Sequence, residues 1–138
     1  MVKRIEQRLE IWNIFHEKEI LAGKQRPLVV TAKVDNGSIY TVLPLAVAKK
    51  LGLLVSRKVR VRFADNRREW RDLAKGLCIR IPGLRDREIT TDAIIEPRRK
   101  TVLLGCEELE RMDMLADHRA GVLRPRPGTE KGITAEID

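Results

Sequence analysis

The apolar residues of this chain come in short runs, and turn residues close nearly every one of them. Leu28–Val34 stops at Asp35-Asn36-Gly37, and Ile39-Tyr40-Thr41-Val42-Leu43 stops at Pro44. Leu77–Ile81 stops at Pro82-Gly83, Ile89–Ile95 at Glu96-Pro97, and Val102–Leu104 at Gly105. Runs of this length match ordinary strands and are short for helices. Many strand-sized runs at near-regular spacing, with two short helical patterns, predict a mainly β, barrel-like domain. With 138 residues and 43% apolar content there is enough chain for one core.

Local patterns place the elements. Ile5 to Phe15 is ambiguous in period, and its Trp, Ile and Phe content favours a strand. Leu28–Val34 is apolar enough to be expected buried on both faces. Pro44 suits the first turn of a helix running to Leu51, with Gly52 as a left-handed cap. Arg57–Phe63 alternates, with Val59, Val61 and Phe63 on one face and Lys58, Arg60 and Arg62 on the other. Asp65-Asn66-Arg67-Arg68 is a turn and Glu69–Leu73 returns, so 58–73 is expected as an exposed hairpin with Trp70 near its tip. A strand at Leu77–Ile81, another at Ile89–Ile95 and a helix at Glu107–Met112 come next. Leu115-Ala116-Asp117 and Val122-Leu123 predict a last hairpin around His118–Gly121. The domain is expected to span 1–125. Residues 126–138, rich in Pro, Gly, Thr and charge, are expected as a mobile tail.

Composition narrows the function classes. No stretch approaches the roughly 20 apolar residues of a membrane span, and the start lacks the apolar core of a secretory signal. A cytoplasmic protein without membrane contact is expected. Cys78 and Cys106 sit in apolar surroundings without ligand spacing and are expected as buried thiols. His16 and His118 belong to no zinc pattern, so neither a metal nor a cofactor is called for. The net charge is +8, from 28 basic and 20 acidic residues. The basic clusters, Arg57 to Arg62, Arg67-Arg68, Arg71, Arg98-Arg99-Lys100 and Arg124-Pro125-Arg126, are most simply a solvated strand face and exposed loops. A nucleic acid is not the favoured partner, because only 4% of the chain is aromatic and base stacking needs such side chains. Phosphate-only contact, or selection of acidic peptides, would also use these charges. No phosphate-binding glycine loop is present, and no nucleophile motif surrounds Ser38.

Two readings compete at Val34-Asp35-Asn36-Gly37-Ser38. Asn36-Gly37 between apolar runs is a strong signal for a type I′ hairpin turn, with Asp35 as its polar shoulder. Against this, the run after the turn ends at once in Pro44 and a helix, which is odd for a hairpin partner. Ser38 and Thr41 also place small hydroxyls near the carboxylate, where they could support it by hydrogen bonds.

In order and spacing, several segments resemble the retropepsin-like aspartic peptidases, in particular the small single-lobe members of bacteria and archaea. Val34-Asp35-Asn36-Gly37-Ser38 resembles that family's Asp-Thr/Ser-Gly-Ala/Ser loop. Tyr40-Thr41-Val42-Leu43-Pro44, then Ala48-Lys49-Lys50-Leu51-Gly52-Leu53, resemble the family's segments after that loop. Phe63-Ala64-Asp65-Asn66 looks like the start of the flap, and Leu103-Leu104-Gly105 like the second hydrophobic-Gly element. Leu109 to Asp117 resembles the last helix and strand. The resemblance covers roughly residues 5 to 125.

It implies a closed barrel, two copies of which form an aspartic endopeptidase acting on polypeptides. Asp35 would be catalytic, meeting its counterpart across a two-fold axis. One carboxylate would act as general base on a water while the protonated partner donates to the scissile carbonyl, the shared-proton arrangement for which aspartic proteases are the standard example. Asn36, Gly37 and Ser38 would form the active-site loop, with Gly37 permitting close approach and Ser38 orienting Asp35. Ala64, Asp65, Asn66 and Trp70 would belong to a flap closing over substrate. Position 36 departs from the family, whose Thr or Ser hydroxyl bonds across the dimer axis; Asn36 offers an amide instead. The departure bears on activity more than on fold. A catalytically inactive dimerisation or binding module of the same fold, touching nucleic acid, is the alternative implied.

Overall fold

A computed structural model describes residues 3–84 and 86–138. Nine strands and three short α-helices are present among them: β1 Glu6–Asn13, α1 Glu17–Leu21, β2 Leu28–Val34, β3 Thr41–Pro44, α2 Leu45–Leu51, β4 Val55–Arg62, β5 Arg68–Arg80, β6 Glu88–Glu96, β7 Val102–Leu104, α3 Cys106–Arg111, β8 Met114–Asp117 and β9 Val122–Pro125. Strands β1, β2, β7, β3, β6 and β5 pair in that order, and β5 pairs back onto β1, closing a six-stranded barrel. β4 hangs on the outer side of β5, and β8–β9 forms a separate hairpin. The fold class expected from the apolar runs is the one observed.

The barrel interior explains the run pattern. Leu9, Ile11, Ala32, Leu43, Ala74, Leu77, Ile79, Ala93 and Leu104 are fully excluded from solvent and form one core, which Leu109, Met112 and Met114 extend. Each strand of a single-walled barrel has only one inner face. That is why Leu28–Val34 is not buried on both faces as expected. Ala32 and Val34 point inward, whereas Val29, Thr31 and Lys33 are exposed.

Other boundaries shift for local reasons. The segments expected as separate strands at 69–73 and 77–81 are one 13-residue strand, β5. A bulge between Ala74 and Leu77 interrupts its pairing to β6, and Gly76 sits there at φ 80°. A Cβ at Gly76 would lie 2.6 Å from Ile14 Cγ2, so the glycine also admits that neighbour. A 3-10 turn at Ile14–His16 and α1, which the ambiguous pattern hid, end β1. Buried Asn13 starts them: its Oδ1 accepts from Phe15 N at 3.0 Å, and its Nδ2 donates to Leu51 O and Gly52 O, both at 3.1 Å. α2 ends as expected at left-handed Gly52, with Gly52 N donating to Lys49 O and Leu53 N to Ala48 O.

Buried Arg87 ties the last segment to the barrel. Its guanidinium donates to Met112 O at 2.9 Å, to the Thr129 carbonyl, and to Thr129 Oγ1 at 3.2 Å. Thr129 is buried as a result. Both cysteines are free; Cys78 is buried, but Cys106, expected buried too, is half-exposed at the start of α3. No helix among the described residues is long and apolar enough to cross a membrane.

Candidate functional site

The chain leaves the barrel at the end of β2 and re-enters it at β3, and β7 lies between those two strands. β2 runs parallel to β7, and β3 pairs with β7 and β6 but not with β2. The hairpin reading of Asn36-Gly37 therefore fails. Neither residue has a positive φ, which a type I′ turn requires at both central positions.

What holds the loop is the junction of β7 with α3. Asp35 N donates to Leu104 O at 3.2 Å, and Cys106 N donates to Ser38 O at 2.8 Å. Glu107 N reaches Ile39 O at 3.4 Å, so amides that a helix start leaves unpaired are satisfied by the loop. Gly105 N donates to the hydroxyl of fully buried Thr41 at 3.3 Å. A Cβ at Gly105 would stand 2.5 Å from Ile39 O and 2.6 Å from the carbonyl carbon of Tyr40. Only glycine lets the loop lie this close.

Within the loop, Asp35 is half-buried and its Oδ1 accepts from Gly37 N at 2.8 Å. A Cβ on Gly37 would come within 3.2 Å of that same oxygen. The hydroxyls expected to support the carboxylate do other work. Ser38 Oγ donates to Tyr40 O at 2.7 Å, and Thr41 accepts from Gly105. Asp35 is thus oriented by a backbone amide, not by Ser38.

Asp35 opens onto a cleft of about 640 Å³ between this loop and β4. Of the residues singled out in sequence, Asp35, Gly37, Ser38, Ala64 and Leu103 line it. Leu104 and Gly105 lie beneath it as support. Asp65 and Asn66 build the β4–β5 turn: Asn66 has φ 66°, and Asp65 accepts from Arg67 N at 3.1 Å and from Arg67 Nε at 2.8 Å. The Arg67 side chain bonded to Asp65 holds that carboxyl below its usual range. Trp70 pairs with Arg60, is 62% exposed, and does not line the cleft. Asn36 also stays outside the cleft, its Nδ2 lying 2.8 Å from His118 Nε2 in the β8–β9 turn.

Sequence reasoning missed three contributors. Glu96 and Arg99 line the cleft, and Arg71 bonds Glu96 at 2.6 Å with only 11% of either side chain exposed. In sequence Arg71 reads as one more solvated cation, and only the pairing of β5 with β6 reveals its partner. Burial raises Glu96, but hydrogen bonds from Arg71 and from Arg98 N outweigh it and leave the carboxyl below its usual range. Outside the cleft, Glu108 is buried on α3. Burial pushes its carboxyl up against a 2.8 Å hydrogen bond from Thr91, and its Oε2 has no partner.

No protein-family model matches this chain, and neither does any curated protein. Solved structures do. The retroviral protease-like domain of Ddi1 from Leishmania major matches with a TM-score of 0.58 at 17% identity, over 92% of this chain and 91% of that one. The fold is retropepsin-like. EIAV protease, solved in complex with an inhibitor, matches with a TM-score of 0.53 at 18% identity, over 80% of this chain and 88% of that one. At such identities the likeness carries the retropepsin-like fold and nothing finer. The closed six-stranded barrel with few short helices is its content here.

Proposed function

We propose that this chain is one half of an aspartic endopeptidase, in which two copies of Asp35 activate water against a peptide bond. The observation that carries this is the setting of Asp35: a half-buried carboxylate at the mouth of the cleft, held by Gly37 N in a loop fastened to β7 and α3. One carboxylate cannot be general base and general acid at the same moment, so the mechanism needs the second copy. Brought close, two like charges repel, which favours the pair holding one proton between them. The β4–β5 hairpin, which borders the cleft from Val59 to Ala64, would cover an extended peptide. Arg60, Arg62 and Arg99 on the cleft lining favour acidic residues beside the scissile bond, a preference that added salt would weaken.

One feature favours a second reading, a non-catalytic binding module of the same fold. The amide of Asn36 is engaged inside its own chain, and no hydroxyl stands at that position to bond across an axis. One experiment separates the two. Under the peptidase reading, a sample shown by sedimentation to be dimeric cleaves an unfolded protein at mildly acid pH, and Asp35→Asn abolishes this without lowering thermal stability. A dimer with no Asp35-dependent cleavage across the acid range leaves the binding module.

A further inference from the structure

We propose that His118 is a positioning residue for the Asp35 loop, bracing it through Asn36 from the far end of the same chain. An amide NH2 can only donate, so the 2.8 Å contact makes His118 Nε2 the acceptor from Asn36 Nδ2. The ring proton then sits on Nδ1, which faces Lys3 O at 3.4 Å. His118 is itself fixed. Lys3 N donates to its carbonyl at 2.8 Å, and Asp117 caps the turn by accepting from Arg119 N and Ala120 N. Ala116 and Leu123 anchor that hairpin on the barrel core.

The bond matters because of where Asn36 stands. It lies between Asp35 and Gly37, and the peptide joining it to Gly37 carries the N–H that orients the carboxylate. Fixing the Asn36 side chain limits rotation of that peptide. A Ser or Thr hydroxyl stops one bond short of Asn Nδ2 and would not reach the imidazole. The residue that departs from the resembled pattern is thus the one that suits a partner within the chain. The catalytic consequence rests on the peptidase reading, whereas the brace itself does not.

The test uses the full chain and two readouts. Nitrogen-15 spectra of the ring are expected to show His118 as the Nδ1–H tautomer. His118→Ala is expected to raise fast backbone motion at residues 36–38 while leaving the melting temperature near that of the unmodified chain. In cleavage, His118→Ala should lower kcat about tenfold, the loss expected of one hydrogen bond, with KM little changed. His118→Gln, which keeps an acceptor, should recover most of it, and in an Asn36→Ser background His118→Ala should cost nothing further. An Nε2–H tautomer, or unchanged motion at residues 36–38 in His118→Ala, overturns the proposal, as does an unchanged kcat in a chain that cleaves. A chain that never cleaves removes the peptidase reading alone, because the tautomer and the loop motion still decide whether the brace exists.

Discussion

Two Asp-Asn steps in this chain do opposite things. Asp65-Asn66 makes a hairpin turn: Asn66 is left-handed at φ 66°, Phe63 N bonds Arg67 O, and Arg62 pairs with Arg68 across it. Asp35-Asn36, followed by the glycine that a hairpin would favour, makes none, because β7 separates the strands on either side. The first is shaped by neighbours in sequence. The second is shaped by residues about seventy positions away, which supply the carbonyl of Leu104, the amide of Cys106 and the bare Cα of Gly105. Local turn chemistry decides only where no third strand competes for the same backbone.

That contrast can be broken most severely at Gly105. A methyl group there would collide with Ile39 and Tyr40 backbone that cannot yield without moving the loop. Gly105→Ala is expected to cost at least ~3 kcal/mol in denaturant unfolding, at the upper end for overpacking. A cost below ~1 kcal/mol would mean the loop is not pinned there. Next in size is Arg71→Ala, which strands a mostly buried carboxylate and should cost about 3 kcal/mol at neutral pH. The sign with pH comes from the depressed Glu96. The pair's contribution is complete above the ordinary carboxylate value of 4.5 and is lost as pH falls through the lower folded-state value. The gap between Arg71→Ala and the unmodified protein should therefore close in strong acid.

Legibility in sequence divides along the same line. The alternation at Val59, Val61 and Phe63, the cap at Gly52, the turn at 65–68 and the last hairpin are all readable, because each rests on contacts within a few residues. The setting of Asp35 is readable only as a resemblance. The supports of Asp35 are misassigned in sequence, since nothing local tells that Ser38 turns to Tyr40 while Gly37 N takes the carboxylate. Arg71 and Glu108 are invisible for the same reason: their surroundings are built by strands and helices far away in sequence. Likewise Trp70, conspicuous in sequence as the hairpin's aromatic residue, is exposed and does not line the cleft.

Two smaller effects sharpen the comparison. Glu108→Gln is expected to stabilise the fold by on the order of 1 kcal/mol in alkaline solution, because burial disfavours the charged carboxylate and its Oε2 has no partner. Because the folded-state value lies above the ordinary one, that advantage should shrink as pH falls and vanish below about 4.5. A constant advantage at every pH would show that charge is not the cause. At the local turn, Asn66→Ala should cost about 1 kcal/mol for the left-handed backbone, while Asn66→Gly should be close to neutral.

Joint action of two copies of Asp35 is tested by the separation of their carboxylates in a crystal structure of the assembled protein. A two-fold axis is expected beside the loop, with an oxygen of one Asp35 within about 3 Å of an oxygen of the other, the reach of a hydrogen bond sharing one proton. An assembly that keeps the two Asp35 side chains well apart, or a chain that remains single at high concentration, would contradict it.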